Sequence, residues 1–243
     1  DPLMYRSLYA EIQEELALRR GKFISKSEHF SLYFPVEMSE DGASRILRLS
    51  EESYAAYRRM LDIDMEGRIN LYAISEESRN QMPGDVCGIF ESSATPAVIR
   101  RRIRFLLCDD IDGCLSHEVA HAFISAALAQ KGDGKLQGWQ NEGLAELMSG
   151  IGKADSFVAS GSTSFVSSLD DLEYAIRSTD VGVRRGAYAV ARAFLVHCHG
   201  ADVAGVRRAV FSPLTTAEYE RKFKVFKETT LREAVMADHG KGR

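Results

Sequence analysis

Strand-like and helix-like hydrophobic patterns occupy different parts of this 243-residue chain. The strand-like runs lie early; they are short, rich in aromatic and β-branched residues, and bounded by turn residues such as Pro35. They cover residues 29–34, 68–74 and 86–90, and residues 98–107 are also predicted to be extended. From Asp109 onward, apolar residues recur every three or four positions, as on one face of a helix. This order predicts an α+β fold with its strands early and its helices late.

The helical patterns also suggest how the chain is divided. Helices are predicted over residues 3–20, 42–60, 110–132, 139–150, 169–178, 186–199, 201–211 and 215–238. Residues 149–168 are rich in Gly and Ser, which is typical of a mobile connection. We therefore predict an α+β lobe at residues 1–150 and a helical lobe at residues 151–243, with a cleft between them.

The charge pattern argues against several kinds of partner. The net charge is −4, and the Lys and Arg residues are scattered among Asp and Glu. Since nucleic-acid-binding proteins usually present a concentrated basic surface, no nucleic-acid partner is expected. No apolar run approaches the roughly 20 residues that a membrane-spanning helix needs, so no integral membrane segment is expected. The arginine-rich run at residues 100–104 is interpreted as a solvated sheet edge that discourages association between sheets.

The cysteines do not form a recognisable metal motif. The chain has four, and no two of them are arranged as Cys-x-x-Cys, so a cysteine zinc site is not expected. Cys108 and Cys114 are either bridged or small buried hydrophobic residues. The second interpretation is favoured because free cysteine is commonly buried.

The stretch HEVAH places His117 and His121 four positions apart. Residues at this spacing are neighbours on one face of a helix, so both imidazoles can bind one metal ion at about 2.0 Å. Glu118 is rotated from His117 by about 100°, which lets it reach a water molecule rather than the ion. Taken alone, a satisfied or surface histidine pair is an equally good interpretation. His197 and His199 are only two positions apart and point to different helix faces, so no second metal site is expected there.

A third protein ligand is available on the next predicted helix. Glu142 lies in the stretch WQNEGLAEL, and a glycine-containing loop at residues 131–135 lets the two helices fold back against each other. Three protein ligands leave the fourth position of a tetrahedral zinc site for water. Glu146, one turn beyond, could accept the free N–H of a ligating histidine and fix its ring orientation. Alone, the two carboxylates favour a solvated acidic helix face; together with HEVAH, they favour a zinc site.

HEVAHAF followed by WQNEGLAEL resembles the gluzincin zinc peptidases, the group of thermolysin and the zinc aminopeptidases, and especially the small bacterial peptidase MA-like domains. The resemblance is specific over residues 114–150, whereas HFSLYFP, INLYA and GAYAVARAFLVHCHG resemble other parts of those domains more weakly. It implies a zincin-like catalytic domain with one zinc ion per chain. The residues it implies at the site are His117, His121 and Glu142 as ligands, Glu118 as general base, and Glu146 and Asn141 beside the ligands.

The activity implied by the resemblance is hydrolysis of a peptide bond by a water molecule that zinc and Glu118 activate. Relatives carry a tyrosine, which hydrogen-bonds the developing oxyanion, at the position occupied here by Arg185. Three alternatives follow: Tyr188 or Tyr174 takes that role, Arg185 supplies a positive charge to the substrate, or the step is impaired. The G-x-M-E-N segment by which aminopeptidases bind a free amine has no match in residues 84–108, which favours an endopeptidase.

The resemblance also suggests how a peptide or protein substrate is held. In thermolysin-like sites an extended strand beside the zinc helix pairs with the substrate backbone, and residues 98–107 are the candidate. Two other functions stay open: a catalytically weak metalloprotease fold that binds proteins or peptides, and a hydrolase of non-peptide amides. Relatives are often exported, and the chain starts without methionine as a processed protein would, so an extracytoplasmic location is expected.

Overall fold

The computed structural model describes residues 2–82, 87–94, 99–108, 110–132, 135–150 and 166–240. The strands are β1 (Phe23–Lys26), β2 (Phe30–Phe34), β3 (Ile69–Ile74), β4 (Gly88–Ala94) and β5 (Ile99–Leu106). The helices are α1 (Pro2–Arg19), α2 (Glu40–Leu61), α3 (Ile111–Lys131), α4 (Gly138–Ser149), α5 (Leu169–Ile176), α6 (Val181–His199), α7 (Val203–Phe211) and α8 (Thr216–Gly240), and Glu76–Gln81 form a 3-10 helix. The predicted α+β organisation, with strands early and helices late, is confirmed.

Element boundaries differ from the prediction in a few places. Strand β1 was not predicted, and β4 begins two residues later and runs further than residues 86–90. Helix α6 begins earlier than residue 186 because the Asp180 side chain accepts a hydrogen bond from the Val183 amide at 3.0 Å and caps the helix. Most of the predicted mobile connection at residues 149–168 lies outside the described residues.

Internal contacts divide the chain into two compact units. The first comprises Asp1–Ala55 and Glu66–Val119, and the second comprises Ala56–Met65 and Ala120–Arg243. The predicted division at residue 150, with a cleft between two lobes, stays a prediction. In the described part of the chain, no helix has the length and apolar character that crossing a membrane requires.

The first unit contains one five-stranded sheet with the order β1-β2-β3-β5-β4. Strands β2, β3 and β5 are parallel to one another, while β1 and β4 are antiparallel to their neighbours. Helix α2 connects β2 to β3, and its Tyr54 ring stacks on His29 at 3.8 Å and meets Phe30 edge-on at 6.0 Å. One face of the sheet has a fully buried apolar core, formed by Leu32, Leu71, Ile103 and Phe105.

The opposite face of β5 carries Arg102 and Arg104, which pair with carboxylates on α1 and on the neighbouring strand β4. Arg102 Nε and Arg104 Nη2 each lie 2.8 Å from the Glu91 carboxylate on β4, and Arg102 Nη2 lies 2.8 Å from Glu14 on α1. These carboxylates pair with the guanidinium groups, so the arginine side chains are only 17% and 12% exposed in the middle of the sheet. The interpretation of residues 100–104 as a solvated edge is therefore wrong.

The second unit is built on packed helices with an aromatic core. The Trp139 ring on α4 lies 5.5 Å from Phe194 on α6 and 5.2 Å from Tyr219 on α8. Phe194 also meets Phe223 edge-on at 4.9 Å. Such pairs contribute roughly 0.5–1.5 kcal/mol each beyond the burial of their area. This core fixes α4, which bears Glu142, against α6 and α8.

Candidate metal centre

Helix α3 is apolar on nearly all sides, which makes its polar residues conspicuous. Val119, Ala120 and Phe123 are fully buried, and Glu118 and His121 are buried beside them at 6% and 8% exposed. A buried carboxylate or imidazole costs free energy unless it is paired or bound. The burial of two such groups on one helix therefore favours a metal or catalytic role over a solvated helix face.

Contacts at the start and the middle of α4 fix the position of Glu142. The Trp139 amide donates a hydrogen bond to Glu173 Oε2 on α5 at 2.9 Å. A Cβ atom on Gly143 would lie only 2.9 Å from the backbone carbonyl carbon of Ala191, so α4 and α6 pack with their backbones in close approach. Glu142 directly precedes this glycine. Its backbone position is therefore determined by helix packing rather than by a flexible loop.

Three of the predicted site residues come together on α3 and α4. His117, His121 and Glu142 each offer one ligand atom, and these atoms lie within 4.8 Å of one another. His121 Nε2 is 3.4 Å from Glu142 Oε2. Nitrogen and oxygen ligands at about 2.0–2.2 Å from a tetrahedral zinc ion lie roughly 3.3–3.5 Å apart, whereas a charge-assisted hydrogen bond would be about 2.7–2.9 Å long. The donor set fits a zinc ion, and the separation of His121 Nε2 and Glu142 Oε2 matches that of two ligands on one ion.

Glu118 lies against the first residue of β4. A Cβ atom on Gly88 would lie 2.6 Å from Glu118 Cγ and 2.9 Å from its Oε1, and 2.7 Å from Cys114 Sγ. Only glycine leaves room for this approach of strand and helix. We did not predict a role for Gly88, although a glycine inside a predicted strand is a signal of close backbone approach.

The remaining predicted residues lie on α4, α5 and α6. Glu146 and Asn141 are half-buried on α4, on either side of the close contact at Gly143. Tyr188 is half-buried on α6, one turn before Ala191, while Arg185 is exposed on the same helix. The roles of these residues beside the ligands, at the oxyanion and at the substrate stay predictions. Tyr174, the other tyrosine considered, is 82% exposed on α5.

The prediction that residues 98–107 pair with a substrate backbone is wrong. Strand β5 lies between β3 and β4; it pairs with β4 over Ile99–Phe105 and with β3 over Arg102–Leu106. Over Arg102–Phe105 the strand therefore has a partner on both sides, which leaves no free edge there for a third chain. Among the described strands, β4 is the last on this side of the sheet, and its first residue contacts α3.

Cys108 and Cys114 are not bridged, because all four cysteines are free thiols. The favoured alternative, that both are small buried residues, holds for Cys114 but not for Cys108, which is exposed. A hydrogen bond joins the Cys114 thiol to Cys87, just before β4. No spacing in the sequence indicates this contact, because it depends on how β4 meets α3.

Comparison with known proteins does not supply a family for this chain. No protein-family model matches it, and no curated protein sequence matches it. The function of the centre is therefore inferred from its geometry and its chemistry.

Proposed function

We propose that this protein is a zinc-dependent peptidase with a zincin-like fold of the gluzincin type, and that it cuts within peptide chains. One observation carries the proposal: His121 Nε2 and Glu142 Oε2 approach to 3.4 Å, with a donor atom of His117 in the same group. Two imidazoles and one carboxylate are a ligand set that catalytic zinc sites use. Glu118, which follows the first ligand directly, supplies a base beside them.

Each residue of the site has a separate task in this proposal. His117, His121 and Glu142 would hold the zinc ion, which, when bound, lowers the pKa of a bound water and polarises the scissile carbonyl. The Glu118 carboxylate accepts the proton of the attacking water and then donates it to the amine that leaves. Because Glu118 is 6% exposed and lies against Gly88, its carboxylate is held in one place while it carries that proton.

The edge strand supports action on an extended chain. A peptide that adds to β4 through backbone hydrogen bonds would run beside the start of α3, next to Glu118. Pairing of this kind uses backbone groups all along the substrate and requires no free terminus. The α6 residue Tyr188 is the proposed hydrogen-bond donor to the oxyanion, with Arg185 as a substrate contact.

The proposal is tested with a broad peptide library and a Glu118→Gln variant. Wild type is expected to cleave internal bonds, and Glu118→Gln is expected to keep its zinc while losing about 10²- to 10⁴-fold in kcat/KM. Asp112→Asn is the matched control, since Asp112 is an exposed acid on α3 that pairs with Arg45 at 2.8 Å. If wild type binds zinc and library peptides but cleaves none of them, the protein is instead a peptide-binding module. Cleavage of non-peptide amides alone would reassign the substrate class.

A further inference from the structure

Two thiols meet where β4 begins, outside the group of proposed metal ligands. Cys114 lies on α3, one turn before Glu118, and is 4% exposed. Cys87 directly precedes β4 and is exposed. A hydrogen bond joins their side chains. One sulfur of the pair is therefore open to reagents in solution, and the other is protected behind it.

The backbone beside Cys87 already lies close to the buried sulfur. The position of a Cβ atom on Gly88, the next residue, is 2.7 Å from Cys114 Sγ. A disulfide has a sulfur–sulfur length of about 2.0 Å, so the two sulfurs must come closer than in a hydrogen bond to form one. Bridging starts from two side chains that already contact each other.

The two thiols also differ in reactivity. The hydrogen bond from Cys114 lowers the pKa of Cys87, and the same pairing together with burial raises the pKa of Cys114. The thiolate is the nucleophile in thiol–disulfide exchange. Because Cys87 is exposed and Cys114 is buried behind it, an oxidant in solution reaches Cys87 first, so Cys87 is the attacking sulfur and Cys114 the resolving one.

We propose that Cys87 and Cys114 form a redox-active dithiol, a modification site whose oxidant is a low-molecular-weight disulfide such as oxidised glutathione. The Cys87 thiolate attacks one sulfur of the oxidant, whose sulfur–sulfur bond breaks and releases one glutathione. Cys114 then loses its proton and attacks Cys87 in the mixed disulfide, which releases the second glutathione. Two protein thiols are oxidised, one external disulfide is reduced, and both protons end on the released thiols.

The test uses the purified full chain and does not depend on hydrolysis, so a failure of the peptidase proposal leaves it intact. After incubation with oxidised glutathione, the protein is alkylated under denaturing conditions, digested and analysed by mass spectrometry. We expect the loss of half of the titratable thiols, a linked peptide lighter by two hydrogens, and full reversal by dithiothreitol. Cys198 is the internal control, because burial raises its pKa to about 12 and it should stay unreacted.

Variants identify the partner of Cys87. Trypsin cleavage after Arg104 and Lys131 leaves Cys108 and Cys114 on one peptide, so the Cys108→Ser variant must still form the bridge. Cys114→Ser is expected to trap Cys87 as a stable mixed disulfide with glutathione. The proposal is overturned if wild type keeps glutathione on Cys87 without a bridge, if it stays fully reduced, or if Cys108→Ser abolishes the link. Wild type and Cys108→Ser decide the matter even if Cys114→Ser fails to fold.

Discussion

Helices α3 and α6 each contain two histidines, and the two pairs have different neighbours and different roles. On α3, His117 and His121 belong to one group with the Glu142 carboxylate. On α6, His199 is 7% exposed and its Nε2 lies 2.9 Å from the Tyr219 hydroxyl, while His197 is exposed. Spacing by four places two imidazoles on one helix face, and spacing by two separates them.

The charges around the two pairs also differ in sign. A carboxylate faces His121, whereas burial and the positive charges of Arg208 and Lys222 lower the pKa of His199. A carboxylate favours a bound cation, and two nearby cationic side chains oppose one. Histidine spacing and the charge of the neighbouring side chains therefore distinguish the proposed metal centre on α3 from the structural hydrogen bond of His199 on α6.

The largest effect is expected from the α3 pair itself. His117→Ala and His121→Ala should each lose the zinc ion and reduce kcat/KM by at least about 10³-fold, because a ligand and the chemistry of the ion are removed. Metal analysis of the purified variants measures the first effect, and peptide hydrolysis measures the second. His197→Ala is the matched control on α6 and should keep full zinc content. Retention of zinc by both α3 variants would show that His117 and His121 are not its ligands.

An intermediate effect is expected from the strand that contacts α3. Gly88→Ala introduces a Cβ atom 2.6 Å from Glu118 Cγ, so the carboxylate must move. A displacement of about 1 Å at a reacting group can reduce the rate by about 10²-fold, and zinc content should not change. Ser92→Ala, at an exposed position further along β4, is the control. Unchanged kinetics in Gly88→Ala would show that Glu118 is not the base.

The smallest effect is expected from His199, as a dependence of stability on pH. Since the folded pKa of His199 lies below its unfolded value near 6.5, the unfolded chain gains a proton first as the pH falls. The stabilisation is present above about pH 6.5 and is lost as the pH falls towards the lower folded pKa. Urea unfolding at pH 7.5 and 5.5 measures the free energy of unfolding, which should fall more between these pH values in wild type than in His199→Gln. Equal losses would mean that His199 does not titrate in this range.

Local structure could be predicted well, because it depends on patterns within one segment. The helices that bear His117, His121 and Glu142 begin and end within about two residues of the predicted positions, since apolar periodicity and capping residues determine them. The ligand set could also be proposed, because the i, i+4 spacing is local.

Contacts between distant segments could not be predicted. The arginine-rich strand β5 was expected at an edge, but Glu14, 88 residues before Arg102, pairs with it and allows it to lie inside the sheet. The separation of His121 and Glu142 likewise depends on how Gly143 packs against Ala191. Nothing in either local sequence specifies such a pairing.

Because β4 is the outermost of the described strands beside β5, a substrate chain that pairs with it must be fully extended. Successive side chains of an extended chain point to opposite sides, so only alternate substrate positions would face the protein. Cleavage preference would then repeat with a period of two residues. Helical segments, and strands already paired on both sides, would have to unfold before they could be cut.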